Sequence, residues 1–338
     1  MPLPRRACLR ALLVSTLPGL PLDGWAQGAD GGTGTGAGAS VVDETWVDTA
    51  RGRALPVRTR WPDAVRFDGE RPVVIFSHGL GGTVDGGAIW GEAWAAAGFV
   101  VLHLQHRGSD LDAVRAVTTT FTDQRALQTM TNPEQSLARL SDVRFVLDQL
   151  ARKHHAREGR WADAKPDHVG MSGHSFGAHT TLAMAGQRFP GFAGLTEARL
   201  AAFIAFSPAI PLQMEARRSF ERIDRPILSI TGTLDNDVVG VGNTAERRFQ
   251  VFSALPVGRK AHLVLKDADH MTFAGQSGRA AEIIPRETVT RGLQDAHHAL
   301  LARVTTDWWL ATLLDDARAR ERLKRPAGLL AGDLWEQG

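Results

Sequence analysis

The sequence predicts an α/β protein built on one doubly wound, mostly parallel sheet, preceded by an antiparallel hairpin. Three observations carry that reading. From Pro72 onward, short and continuously apolar runs alternate with stretches of helical periodicity, the pattern of strands buried on both faces between helices. One such run leads through Val169-Gly170-Met171-Ser172 into Gly173-His174-Ser175-Phe176-Gly177 and then a helix-forming stretch, so a serine stands at a sharp strand-to-helix turn. Finally, four strand ends carry a glycine-rich turn of backbone amides or a chemically useful side chain, at the edge where open parallel sheets bind ligands.

Taken in order, residues 1–26 read as an export signal. Arg5 and Arg6 supply the charged start, Ala11 to Leu17 the short apolar core, and Gly24-Trp25-Ala26 a small-x-small cleavage site before Gln27. The arginine pair is similar to a twin-arginine signal, with Cys8 where a bulky apolar residue is usual. The apolar core is too short to span a bilayer, so no stable membrane anchor is expected, and the mature protein is placed in the periplasm or the medium. Residues 27–43 form a Gly-rich linker. Gly32-Thr33-Gly34-Thr35-Gly36 lacks the preceding strand and following helix of a dinucleotide loop. Residues 44–338 are then one catalytic domain.

Within it, Glu44 to Asp48 and Ala54 to Trp61 flank a polar turn and form the hairpin. Val73 to Phe76 is a buried strand, Ala88 to Gly98 a helix ended by its glycine, and Phe99 to Leu104 the next strand. The stretch from His106 to about Thr131 is polar and without clear periodicity. Asn132-Pro133-Glu134 opens an amphipathic helix to about His155, with Leu137, Leu140, Val143, Val146, Leu147 and Leu150 at helical spacing. After the serine turn and its helix, strands are expected at Leu200 to Phe206, Pro226 to Thr231 and, last, Ala261 to Leu265. Helices are expected at Glu246 to Ala254 and, closing the chain, Thr305 to Leu323.

Composition removes several classes of function. Lys and Arg number 39 against 37 Asp and Glu, a net charge of +2, and no basic tract is interleaved with aromatics, so no nucleic-acid partner is expected. The one cysteine, Cys8, falls inside the signal, which leaves a mature chain without disulfides or cysteine-bound metal. With no His-Glu-x-x-His and no carboxylate cluster, neither a catalytic metal nor a cofactor is expected. Tyrosine is absent, so a reacting hydroxyl must come from Ser, Thr or water.

The strand ends supply the parts of nucleophilic catalysis. Ser175 needs a base to take its proton as it attacks; His270, after the last predicted strand, is assigned that part. A buried carboxylate would orient the imidazole. Asp235 is preferred over Asp237 because it follows its strand in the spacing Gly232-x-x-Asp235. Two backbone N–H groups must stabilise the oxyanion: that of Phe176, directly after the nucleophile, and one from the turn His78-Gly79-Leu80-Gly81-Gly82, assigned to Leu80. His78 is read as shaping its turn. His103, His106 and His174 are read as packing residues, and His297 and His298 fall in an expected helix with no further ligands to pair with; His174 is also a candidate to touch substrate, with Met214, Met271 and Phe273 giving the pocket an apolar character.

Ser77-His78-Gly79-Leu80-Gly81, Gln105-His106-Arg107 and Gly173-His174-Ser175-Phe176-Gly177 together resemble the platelet-activating-factor acetylhydrolase branch of the α/β-hydrolases. Thr231-Gly232-Thr233-Leu234-Asp235 and Ala268-Asp269-His270-Met271-Thr272-Phe273 are more similar to bacterial esterases related to dienelactone hydrolase. The resemblance spans about Trp46 to Leu323. It implies the α/β-hydrolase fold, a serine esterase, and an ester substrate of small-molecule or lipid-like kind. In the acetylhydrolase branch the acid follows the strand after the nucleophile helix; here that place holds Ser207-Pro208, which moves the acid one strand on, to Asp235, and weighs against a lipid-mediator substrate. Polyester hydrolases of the cutinase type share the architecture but generally carry an aromatic residue where this chain has Leu80. An amidase or thioesterase using the same three residues, and a hydrolase-fold binding protein without turnover, are the other readings.

Overall fold

The computed structural model describes residues 39–63, 69–278 and 283–338; the expected export signal and most of the expected Gly-rich linker lie outside them. The chain opens with β1 (Ala39–Asp48) and β2 (Arg53–Pro62), an antiparallel hairpin paired along its whole length. β1 therefore begins at Ala39, and the linker expected to reach residue 43 ends sooner. Val41 and Val42 are adjacent and both exposed, so no alternating apolar face marks the start of this edge strand, half of which faces solvent.

Next come β3 (Val73–Ser77), α1 (Ala88–Ala96), β4 (Val100–Leu104), α2 (Leu111–Val117), α3 (Gln124–Thr129) and α4 (Pro133–His155). They are followed by β5 (Val169–His174), α5 (Phe176–Met184), β6 (Leu200–Phe206), α6 (Ala216–Phe220), β7 (Ile227–Leu234) and α7 (Ala245–Ala254). The chain closes with β8 (Lys260–Asp269), α8 (Thr288–Leu313), α9 (Ala317–Lys324) and β9 (Leu334–Gln337). Among the described residues these strands make one sheet in the order β1-β2-β4-β3-β5-β6-β7-β8-β9. Every pairing from β4 to β8 is parallel, while β1 with β2, β2 with β4 and β8 with β9 are antiparallel. This is the α/β-hydrolase fold.

The central strands β3 to β6 are buried along almost their whole length because each is covered on both faces. In β3, Val73 and Ile75 enter a core shared with α4, α5 and α7, whereas Val74 and Phe76 enter the opposite core with α1, α8 and α9. Trp94 and Trp309 meet edge-on in the second core, with ring centroids 5.8 Å apart. Among the described residues no helix is long and apolar enough to cross a membrane.

Four expectations need correction. The stretch after His106 holds α2 and α3, each capped by an aspartate: Asp110 accepts from Ala113 N and Asp123 from Ala126 N. At seven and six residues, neither is long enough to display a helical period. The five-residue α6 is too short for the same reason. The closing helix from Thr305 to Leu323 is instead two helices; Asp315 takes a positive φ of 57° and Asp316 caps α9. Finally, β8 runs on to Asp269, and β9 adds an edge strand after it, Ala261 lying opposite Gln337.

Candidate active site

Ser175 sits between β5 and α5 with φ 55° and ψ −114°, a strained conformation that lifts its side chain clear of the sheet edge. Its N–H donates to Phe206 O at 3.0 Å, tying the turn to β6. The flanking glycines are required by space. A Cβ on Gly177 would overlap the Ser77 carbonyl of β3, and one on Gly173 would overlap the Gly177 carbonyl.

The turn after β3 lies directly against this elbow: a Cβ on Gly79 would stand 3.1 Å from His174 Nδ1 and 3.5 Å from Ser175 Cβ. The turn is pinned by Gly81 N donating to Ser109 O at 2.9 Å and Gly82 N donating to Gly79 O at 3.2 Å. Phe176 begins a helix, so its N–H has no partner within it. Among the described residues, neither that N–H nor Leu80 N–H is taken by another backbone or side-chain acceptor, and Leu80 and Ser175 line the same cavity.

Register brings the candidate acid and the candidate base together. Leu234 of β7 lies opposite Asp269 of β8, so Asp235 and His270, the next residues of each strand, emerge side by side. His270 Nδ1 is 2.7 Å from Asp235 Oδ1, and Thr231 Oγ1 donates to Asp235 Oδ2 at 2.8 Å. Burial works against ionising Asp235, but nearby Arg248 and His270 outweigh it and hold the carboxyl well below the usual range. The ionised carboxylate only accepts, so Nδ1 carries the proton and Nε2 of the neutral ring is left bare.

Arg248 belongs to no motif of the sequence. It is a buried residue of α7 whose Nε stands 3.1 Å from Asp235 Oδ1 and donates to Asp235 O, while Nη1 donates to Ser207 O at 2.6 Å. Asp237, the other candidate acid, is occupied elsewhere. Its carboxylate accepts from the amides of Val239, Gly240, Gly242 and Asn243 and so folds the loop that follows.

Two chambers meet at Ser175 and His270, divided by Leu80, Val238 and Val239. One, about 630 Å³ counted to its open mouth, is mainly apolar, with Phe121, Leu127, Met271, Ile283 and Ile284 in its wall. The other, about 770 Å³ counted the same way, also presents Thr131, Ser136, His179, Asn243 and Arg248. The four substrate-contact candidates separate here. Met271 and His174 line the apolar chamber. Phe273 is wholly buried in the core beneath α1 and α8, and half-buried Met214 lies in neither wall; both are corrections. The Met-Thr-Phe stretch forms a single 3₁₀ turn after His270, which sends Phe273 into the core.

His174 also packs as a satisfied interior histidine. Its Nε2 donates to His270 O at 2.9 Å, and its ring lies 4.6 Å from that of His270. Burial, with His270 adjacent, pushes its pKa well below the ordinary value, so it is neutral. His78 shapes the turn as expected: Nδ1 donates to Gly79 O at 2.6 Å and Nε2 accepts from His106 N. Among the described residues no cluster of His, Cys, Asp or Glu is arranged to hold a metal.

Residues 42–158 match the family model of platelet-activating factor acetylhydrolase, isoform II. That span, about a third of the chain, runs from the hairpin through the Leu80 turn to the end of α4 and stops before Ser175. No curated protein matches the chain. The matched family lies within the α/β-hydrolase superfamily of serine esterases, in agreement with the sheet order, and the resemblance supports hydrolase activity.

Proposed function

We propose that the protein hydrolyses carboxylic esters through an acyl-enzyme on Ser175. The observation that carries this reading is the buried Asp235–His270 pair, 2.7 Å apart, facing the cavity that a strained serine also lines. His270 Nε2 takes the Ser175 proton as Oγ attacks the ester carbonyl. The amides of Leu80 and Phe176 stabilise the resulting oxyanion. The protonated imidazole, held by Asp235, gives its proton to the departing alcohol. Water then repeats the sequence on the acyl-enzyme, with His270 again as base, and frees the acid.

The apolar chamber suits the acyl chain, since its wall has few partners for an alcohol's remaining hydroxyls. The polar chamber suits the alcohol side and admits water. The resemblance to an acetylhydrolase family also favours a lipid-like ester, although Ser207 stands where that branch carries its acid. Residues 1–26 are proposed to be removed on export, which mass spectrometry of the secreted chain would show as a start at Gln27; a retained Met1 would refute it.

An organophosphonate probe tests the main reading. It should label the wild type and fail on Ser175→Ala. Persistent labelling of the variant would exclude Ser175 as nucleophile, and an unlabelled wild type would favour a binding protein. Matched ester, thioester and anilide substrates then decide which bond is cut.

A further inference from the structure

Arg139 of α4 is wholly buried, yet among the described residues it makes no ion pair. A buried cation ordinarily has a carboxylate partner. Arg139 instead directs its guanidinium at the oxyanion turn. Nη1 donates to His78 O at 2.7 Å and Nη2 to Gly79 O at 3.4 Å, while Nε donates to Ser109 Oγ at 2.8 Å. Its guanidinium carbon lies 4.3 Å from the centre of the Phe176 ring. It thus touches the segments that carry both proposed oxyanion donors.

The geometry points to Arg139 as the positioning residue of the oxyanion hole. Gly79 C=O and Leu80 N–H belong to one trans peptide unit and point in opposite directions. Holding that carbonyl toward Arg139 and the His78 ring aims the Leu80 N–H away from them. A hydrogen bond to the carbonyl also polarises the peptide and strengthens its N–H as a donor. Contact with the Phe176 ring steadies the first residue of α5. The unpaired charge behind both donors further favours a negative oxygen in front of them.

The clamp is itself braced. One turn along α4, Asp142 accepts from Arg53 Nε at 2.7 Å and from His106 Nδ1 at 3.0 Å, and His106 Nε2 accepts from Ser77 Oγ at 2.9 Å. Burial, opposed by Asp142, pushes the Arg139 pKa down to about 9, which leaves it charged at neutral pH.

This inference rests on the oxyanion reading of Leu80 and Phe176. The test uses the full chain with Arg139→Lys, Arg139→Met and Ser109→Ala, the last removing one acceptor of the guanidinium. Turnover of a p-nitrophenyl acetate-type ester is measured beside inhibition by an alkyl trifluoromethyl ketone. Ser175 Oγ adds to the ketone carbon, its proton passes to His270, and the hemiketal oxygen becomes the oxyanion.

Arg139→Lys should lower kcat about 10-fold to 10²-fold and Arg139→Met about 10²-fold to 10³-fold, with KM within about 3-fold. Ketone affinity should fall by the same factor as kcat. Ser109→Ala should show a smaller loss of the same form, and it decides the matter should the Arg139 variants not fold. Unchanged kcat, a KM that rises in step, or a kcat loss without loss of ketone affinity overturns the inference. Ser175→Ala separates the two levels: a variant that still turns over refutes the serine mechanism, whereas an inert one beside a fully active Arg139→Lys refutes the clamp alone.

Discussion

Replacing Asp235 with asparagine probes the site most directly, because the structure sets the size of the effect. The side chain keeps its shape and volume, and Thr231 Oγ1 can rotate to meet either amide atom. What disappears is the negative charge between two groups. Arg248 Nε is 3.1 Å from Asp235 Oδ1, and Arg248 Nη2 is 3.5 Å from His270 Nδ1. In the variant, the imidazole must become cationic during turnover beside a guanidinium with no carboxylate between them. Two unit charges about 4 Å apart at an effective dielectric near 20 repel by about 4 kcal/mol, or about three decades in rate. The substituted amide can also offer its N–H₂ to Nδ1 and so stabilise the wrong tautomer. Asp235→Asn should therefore lower kcat about 10³-fold to 10⁴-fold while the fold persists, as read by ester turnover and thermal unfolding. Asp237→Asn should act through the loop it folds, raising KM with a kcat loss under about 10-fold. A loss within about 10-fold for Asp235→Asn, or a larger loss for Asp237→Asn, would refute the assignment of the acid.

Gly177→Ala places a methyl against the Ser77 carbonyl of β3, so the elbow and the Leu80 turn must part; stability should fall by about 1–3 kcal/mol and kcat by about 10²-fold, and an unaltered enzyme would contradict the close approach. Burial pushes His103 down to about 3 and both His106 and His179 down to about 4, so between pH 6.5 and 4 the unfolded chain binds more protons than the native one. Stability should then fall with pH across that window, by about 1.4 kcal/mol per unit for each such histidine, before the carboxyls of Asp235 and Asp142, held lower still, begin to protonate; denaturant midpoints from about pH 7 to 4.5 check this, and a flat profile would disprove it. Leu127→Ala shortens a wall of the apolar chamber. Activity should shift toward longer acyl chains with the acetyl ester within about 3-fold, and a shift confined to the alcohol portion would reverse the chamber assignment.

The sequence by itself determined the fold class and the serine turn, and it supplied the chain order of the proposed nucleophile, acid and base. Each of those depends on local or periodic features: apolar strands covered twice, two glycines where backbones meet, and side chains just past strand ends. A signal for Arg139 and Asp142 was also present, since both charges lie on the apolar stripe of α4 with Val143, Val146 and Leu150. Their role was illegible, because nothing along the helix says what lies opposite. Only the tertiary structure sets Asp235 apart from Asp237, through the β7–β8 register that puts one carboxylate on His270 and leaves the other to gather loop amides. It alone exposed Arg248, which reaches Asp235 from a helix that carries no motif, and it alone sent Phe273 to the core while Met271, two residues before it, reached the chamber. Periodicity assigns a residue to a face of its own element. Which neighbour that face meets is set by long-range pairing, and the chemistry of this site is made of such meetings.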